Sequence, residues 1–266
     1  DLSGIDTDVI GNPRFYEGNT IDMGAYEYNS DQPPLPITVR YVKTEANGGT
    51  ANGDGLSWEN ASSNLQAMID ASLEGDEVWV AAGNYQAVYV GRPHITFVLK
   101  EGVAVYGGFP ANGGDEDQRD WKENETVLIG HSDGDYPVIT NDDLTSQTIL
   151  DGFIIQGGDT DRGGGIYNWN ASPTLRNLWI KDNQAAWGGG IYNTDASSPE
   201  ITDVEISNNV VEYSGGGILN SEDSNPILTR VVIRENEVTD PPTDEGAAGG
   251  GAIFHAGGGT LKLTEV

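Results

Sequence analysis

The sequence of 266 residues contains no cysteine. A disulfide scaffold, a zinc–thiolate site and a cysteine nucleophile are therefore excluded. Cations are also scarce, since 13 Lys and Arg stand against 42 Asp and Glu, which gives a formal net charge of −29 at pH 7. Because such a chain repels phosphate groups, its charge argues against nucleic acid and anionic membrane surfaces as partners.

Long apolar runs are absent as well. No stretch approaches the roughly 18 consecutive apolar residues that a membrane-spanning helix requires, so membrane insertion is not expected. The sequence starts at Asp1 and shows no apolar core of a signal peptide. We therefore expect a processed N-terminus, or a boundary within a longer protein, with targeting information elsewhere.

Glycine, in contrast, is abundant and clustered. The 37 glycines include the runs GGGIYN at 163–168 and 188–193, GGGILN at 215–220 and GGGAIFH at 249–255. These runs start at positions 163, 188, 215 and 249, so they are separated by 25, 27 and 34 residues. Such recurrence indicates turns in a repeat architecture, and the glycines are expected to allow tight corners with positive φ.

Four apolar stretches, which start at 148, 173, 199 and 226, align into aliphatic columns separated by variable residues. This pattern is typical of strands with one buried face. A repeat of 25–27 residues is too short for a propeller blade, and the leucine-rich-repeat consensus is missing. We predict an all-β fold, a right-handed parallel β-helix (solenoid). The columns are Leu150/Leu175/Ile201/Leu228, Phe153/Leu178/Val204/Val231 and Ile155/Ile180/Ile206/Ile233.

Asparagines recur at two further positions of the repeat. One set follows the glycine runs and the other follows the aliphatic strands. Stacked asparagines at a turn can satisfy backbone groups that would otherwise be buried without partners, so we interpret both sets as structural ladders. The two predicted ladders are Asn168/Asn193/Asn220 and Asn183/Asn209/Asn236.

The chain divides into four predicted parts. Residues 1–28 show neither the repeat nor a cap pattern, and the Pro-rich stretch 29–36 is predicted to be a linker. Residues 37–140 are predicted to hold an N-terminal cap and the first coils, and 141–266 the regular coils. Leu263 falls in the first aliphatic column of a further coil that the chain does not finish, so this region is predicted to be truncated at its C-terminus.

The predicted cap is a short helix, which would cover open strand edges at the start of the stack. Asn60, Ser62 or Ser63 is its predicted N-cap, and Gly75 its predicted end. Polar excursions between coils are predicted at 110–126 and 141–147. The apolar face of the helix is predicted to consist of Leu65, Met68, Ile69 and Leu73.

Several of these stretches resemble a known group, the bacterial right-handed β-helix surface proteins related to the polymorphic outer-membrane-protein repeats. RYVKTEANGGTANGDGLSWENASSNLQAMIDA with GDEVWVAAGNY is similar to the opening of such a domain, and VYGGFPANGGDEDQRDWKENETVLIG to its second landmark. TILDGFIIQGG with GGGIYN and PTLRNLWIKDN is similar to its coils. Residues 1–28 look like the segment that closes one of these domains, here placed first, so they are expected to belong to a preceding or neighbouring unit.

The resemblance implies a structural or adhesive segment of a large extracellular protein or fibre at the bacterial cell surface, without catalytic activity. Its expected partners are neighbouring copies or flanking domains, arranged end to end, and surface glycans. We expect the final coil to be completed by another polypeptide, because its free strand edge would otherwise be a template for aggregation.

A polysaccharide-active or carbohydrate-binding β-helix module is the alternative. A hydrolase needs paired carboxylates about 5–9 Å apart, and a uronate lyase needs a basic groove. The acidic candidates Asp151, Asp182 and Asp203 and the basic candidates Arg176 and Arg230 are scattered among the coils, which favours the non-catalytic interpretation. Four aromatic residues are candidates for stacking on sugars: Trp179, Trp187, Tyr192 and Tyr213.

Calcium is the only cofactor for which the sequence offers candidate ligands. Asp133 and Asp135 lie in one loop, and Asp159 and Asp161 in another, so oxygen ligands occur there at short spacing. Neither loop matches the EF-hand or the nonapeptide calcium pattern. No other cofactor and no catalytic residue is predicted.

Overall fold

The computed structural model describes residues 16–17, 20–21, 36–87, 95–131, 134–240 and 249–266. The chain separates into two units, Asp1–Pro36 and Ile37–Val266. In the first unit, β1 (Tyr16–Glu17) pairs with β2 (Thr20–Ile21) in antiparallel orientation. The remaining residues predicted to form a closing segment and a linker, apart from Pro36, lie outside the described part of the chain.

The second unit is a parallel β-solenoid of about six turns, with strands in three sheets. The all-β solenoid prediction is thus confirmed, and the right-handed sense of the coil stays a prediction. The largest sheet contains β3 (Val39–Val42), β4 (Glu77–Ala81), β5 (Gly83–Gln86), β7 (Ala104–Phe109), β8 (Thr126–Ile129), β10 (Ile149–Gln156), β13 (Thr174–Lys181), β16 (Glu200–Ser207), β19 (Ile227–Arg234) and β22 (Lys262–Thr264).

The two smaller sheets complete each coil. All their strand pairs are parallel. One contains β6 (Phe97–Val98), β9 (Ile139–Asp142), β12 (Ile166–Trp169), β15 (Ile191–Thr194), β18 (Ile218–Asn220) and β21 (Ile253–His255). The other contains β11 (Asp159–Arg162), β14 (Gln184–Trp187), β17 (Val210–Ser214) and β20 (Glu237–Val238).

The core is built from the three aliphatic columns of the repeat. Their residues pair in the predicted register from β10 through β13 and β16 to β19. The first column is completely buried from Leu150 to Leu228, whereas Ile233 in the third column is only partly buried. Since burial of one such side chain contributes about 1.5–3 kcal/mol, these columns supply the main driving force for stacking.

A left-handed residue interrupts each long strand of the regular coils. Gly152, Asn177, Asp203 and Arg230 occupy equivalent positions and have φ between +52° and +88°. This local kink explains why residues three apart both face the core, although simple alternation would place them on opposite faces. Three of the four are Gly, Asn or Asp, the residues that tolerate this conformation best, and that signal was present in the sequence.

Asparagine side chains form a hydrogen-bonded ladder along the smaller sheet that contains β12. Nδ2 of Asn141 donates to Oδ1 of Asn168 over 2.8 Å, Asn168 donates to Asn193 over 2.7 Å, and Asn193 donates to Asn220 over 2.8 Å. All four residues are completely buried. The sequence predicts that Asn141 lies in a polar excursion, but it is the first member of this ladder among the described residues.

The ladder has a direction, because each amide donates to the next coil. At its two ends, Oδ1 of Asn141 and Nδ2 of Asn220 have no hydrogen-bond partner within the described residues. His255 takes the following ladder position and pairs with Asn220 through the backbone strand register. A histidine therefore replaces the amide where the regular coils end.

A second ladder lies at the corner that follows the long strands. Nδ2 of Asn183 donates to Oδ1 of Asn209 over 3.0 Å, and Asn209 donates to Asn236 over 2.9 Å. The same amides also hold the backbone, since Nδ2 of Asn183 donates to the carbonyl of Ile155 and Oδ1 of Asn183 accepts from the N–H of Gly158. At this corner, the asparagine side chains therefore provide hydrogen-bond partners for one another and for backbone N–H and C=O groups.

The three glycines of the first three runs have different roles. The first glycine has positive φ, +68° at Gly163 and +66° at Gly188. The second and third permit close approach of successive coils, because a Cβ on Gly190 would lie 2.5 Å from the carbonyl oxygen of Gly217. The expected positive-φ corner is therefore found at the first position, and close packing accounts for the other two.

The one α-helix of the described residues, α1 (Leu65–Ala71), packs Leu65, Met68 and Ile69 into the core. Its N-cap is Asn64, whose side chain accepts a hydrogen bond from the N–H of Ala67, so the predicted caps at 60, 62 and 63 are wrong. The helix ends before the predicted Gly75, and Leu73 is exposed to solvent. Single 3₁₀ turns occur at Glu45–Asn47 and Glu116–Gln118.

No helix in the described ranges has the length and apolar character needed to cross a membrane.

Asn193→Ala is expected to destabilise the unit by about 2–5 kcal/mol. The substitution removes two ladder bonds and leaves the buried donor of Asn168 and the buried acceptor of Asn220 without partners, each at a cost of about 1–3 kcal/mol. Urea unfolding followed by circular dichroism measures the loss. Asn112→Ala, at an exposed position, is the matched control and should change stability by less than about 0.5 kcal/mol. Equal losses in the two variants would contradict a structural role for the ladder.

Candidate functional site

One outward-facing column of the largest sheet changes character along the stack. Tyr41 pairs with Trp79, Trp79 with Tyr106, Tyr106 with Asp151, and Asp151 with Arg176. In the three later coils, the equivalent positions of this column are threonines. We call this set the lateral column, and its aromatic and charged members are adjacent only because distant segments stack in register.

The loop between β7 and β8 folds back onto this part of the sheet. The indole N–H of Trp58 donates to the carbonyl of Gly114 over 2.8 Å. The backbone N–H of Asp120 donates to the carbonyl of Gly108 over 2.8 Å. The predicted polar excursion is therefore an ordered element, called here the excursion loop (residues 110–125), and it delivers Arg119 to the lateral column.

Arg119 and Arg176 share one buried carboxylate. Oδ1 of Asp151 accepts from Nη2 of Arg119 and, over 2.9 Å, from Nδ2 of Asn177. Oδ2 of Asp151 accepts from Nε of Arg176 over 2.5 Å. Nε of Arg119 is held by the carbonyl of Gly107 over 2.6 Å. The Asp151 side chain is 3% exposed, so the paired guanidinium groups compensate the cost of burying its charge.

Glycine at position 152 makes this arrangement possible. Its φ is +88°, and a Cβ there would lie 2.5 Å from Nη2 of Arg119 and 2.9 Å from the carbonyl oxygen of Gly107. Any larger residue would displace the guanidinium that reaches Asp151. The same residue therefore shapes the strand kink and leaves room for the ion pair.

A small cleft of about 120 Å³ opens beside the two arginines. Burial, together with the charge of Glu77, raises the pKa of the Tyr106 hydroxyl above its usual value. Trp79 stacks on Phe109 with ring centroids 4.6 Å apart. The lining includes Glu77, Trp79, Tyr106, Glu116, Arg119 and Arg176.

The four predicted calcium ligands are only partly described. Asp133 lies outside the described residues. Asp135 and Asp161 line a different cleft of about 520 Å³, which also contains the cation Arg162, and Asp159 begins β11. Among the residues that the structure covers, no group of three or more His, Asp or Glu side chains is arranged to hold a metal ion. Calcium binding stays a prediction.

The remaining acidic and basic candidates occupy separate places. Asp203 forms a two-bond pair with Arg230, at 2.6 Å for both contacts, and these hydrogen bonds hold the pKa of Asp203 below its usual value. Both side chains are about half exposed. Asp182 is exposed at a corner with φ of +54°. Neither Asp182 nor Asp203 lines the cleft beside Asp151.

Of the aromatic candidates, Tyr192 is buried and cannot stack on a sugar. Trp179 donates its indole N–H to Ser207 over 2.8 Å, and Trp187 packs on Tyr213 at 4.8 Å between ring centroids. The aromatic residues that line the charged cleft are Trp79, Tyr106 and Phe109, which the sequence did not single out. Alignment of the β4 and β7 sequences with the regular coils would have placed Trp79 and Tyr106 in the same column as Asp151.

No family model, no curated protein and no solved structure matches the chain. The assignment of a site therefore depends on the geometry of the cleft.

Asp151→Asn is expected to destabilise the unit by about 3–5 kcal/mol and to release the excursion loop, because two guanidinium groups lose their shared charge partner. Trypsin should then cut after Arg119 or Lys122, which mass spectrometry of the fragments measures. Asp203→Asn is the matched control: its exposed ion pair is worth less than about 1 kcal/mol, so the loop should stay resistant. Equal resistance of both variants would refute the anchoring role of Asp151.

Proposed function

We propose that the chain is a structural and adhesive segment of a large extracellular bacterial surface protein or fibre, without catalytic activity. The observation that carries this proposal is the continuous Asn141–Asn168–Asn193–Asn220 ladder. Four buried amides are used to lock coil on coil, which suits a rigid spacer. The net charge of −29 keeps such a surface hydrated and opposes non-specific association.

Partners are proposed to attach end to end. The outer edge of β22 pairs with no further strand of the described residues, and Leu263 and Val266 near it are each about half exposed. A parallel strand edge with exposed apolar side chains accepts further strands. Further coils, from this polypeptide or from a neighbouring copy, would continue the stack there.

A carbohydrate-active module is the second candidate, and the cleft beside Arg119 and Arg176 favours it. A retaining or inverting hydrolase requires two carboxyl groups that can exchange protons with the substrate. Both oxygens of Asp151 are already bonded to guanidinium or amide groups. Of the two carboxylates that line the cleft, Glu77 accepts the indole N–H of Trp79 and Glu116 is exposed on the excursion loop, so the geometry supports binding of a glycan more than its cleavage.

Antibodies raised against the purified chain are expected to label intact cells of the source organism. The physical reason is that a spacer between a cell and its target must lie outside the envelope. Immunofluorescence before and after permeabilisation measures this, with an antibody against a ribosomal protein as the control that labels permeabilised cells only. Labelling by the chain-specific antibody after permeabilisation alone would refute the surface role.

A further inference from the structure

The cleft contains hydrogen-bonding groups that the fold does not use. Nε of Arg176 binds Asp151, but neither Nη atom of Arg176 bonds to any described residue. Nη1 of Arg119 and the hydroxyl of Tyr106 likewise have no hydrogen-bond partner in the described part of the chain. These donors line a cleft and are held in place, because Asp151 fixes both guanidinium groups.

An aromatic wall borders the same groups. The ring of Trp79 is fixed by stacking on Phe109 and by the hydrogen bond from its indole N–H to Glu77 over 2.7 Å. The guanidinium of Arg119 lies 5.3 Å from the centre of the Tyr106 ring. Aromatic side chains offer a flat apolar surface to the C–H groups of a sugar ring, while fixed polar groups meet its hydroxyls.

The net charge of the cleft favours a neutral ligand over an anionic one. The two arginines, Arg119 and Arg176, contribute a charge of +2. The three carboxylates contribute −3, so the net charge of the cleft together with Asp151 is −1, in a chain whose formal net charge is −29. The carboxylates are Asp151, Glu77 and Glu116. An anion would meet an unfavourable field. A neutral polyol is the better fit, because each hydroxyl can accept from a guanidinium or Tyr106 and donate to a glutamate.

Size limits the ligand further. Pockets for drug-sized molecules measure about 300–1,000 Å³, whereas this cleft measures about 120 Å³. We propose that the cleft is a subsite for one pyranose residue of a neutral glycan, with the rest of the glycan outside it. The inference rests on the proposed adhesive role, in which weak single sites gain strength from several copies.

Binding is tested on the full chain with maltohexaose, cellohexaose and mannohexaose as neutral probes and trigalacturonate as the anionic probe. Isothermal titration measures the affinity, and thermal unfolding checks that each variant is folded. Tyr106→Phe keeps the ring and removes only the free hydroxyl, so stability should be unchanged and affinity should fall about fivefold. Arg176→Gln should weaken binding at least about tenfold.

Two matched controls lie elsewhere on the solenoid. Arg230→Gln removes an exposed arginine on the same sheet, and Tyr213→Phe removes a hydroxyl outside the cleft, so both should bind as the unmodified chain does. Binding of a neutral probe with losses confined to Tyr106→Phe and Arg176→Gln supports the subsite. Failure of all three neutral probes, binding of trigalacturonate alone, or equal losses in the controls would overturn it.

Two outcomes distinguish a failure of this inference from a failure of the proposed function. Failure of the neutral probes together with labelling of intact cells would remove the subsite and leave the surface role. Cleavage of a probe, seen as shorter oligosaccharides by chromatography, would contradict the non-catalytic role and leave the binding position intact.

Discussion

The hydrogen bond between stacked asparagine amides is the constraint on which the register of this solenoid depends. An amide donates and accepts at once, so Asn168 and Asn193 can repeat the same bond from coil to coil while fully buried. A shift by one residue would leave these groups unpaired in the core and would turn the aliphatic columns outward. Glycines next to the ladder permit the required approach, since the carbonyl of Gly217 occupies the space that a side chain at Gly190 would need.

The fixed register in turn creates the candidate site. Tyr106, Asp151 and Arg176 are far apart in sequence, yet they follow one another in the lateral column because each coil adds one position to it. The excursion loop supplies Arg119, and Gly152 leaves room for it. A repeated scaffold and one non-repeated loop together generate a buried carboxylate with two arginines, which neither could form alone.

The repeated part of this structure could be predicted from sequence because periodicity reports directly on stacking. The pairing of Leu150 with Leu175 and of Phe153 with Leu178 follows from alignment of the coils, and the structure confirms both pairs. Features that occur once could not be found in this way. Arg119 lies in a polar loop whose path depends on contacts with Trp58 and the sheet, and Asn64 caps the helix in place of three neighbouring candidates.

Side-chain amide exchange tests the central claim most directly. The account predicts that the Nδ2 protons of Asn168 and Asn193 exchange with solvent only when the unit unfolds, at least about a thousandfold more slowly than those of exposed Asn112. Nuclear magnetic resonance of the chain transferred into deuterated water measures all three. Exchange of the ladder amides at the rate of Asn112 would contradict the account.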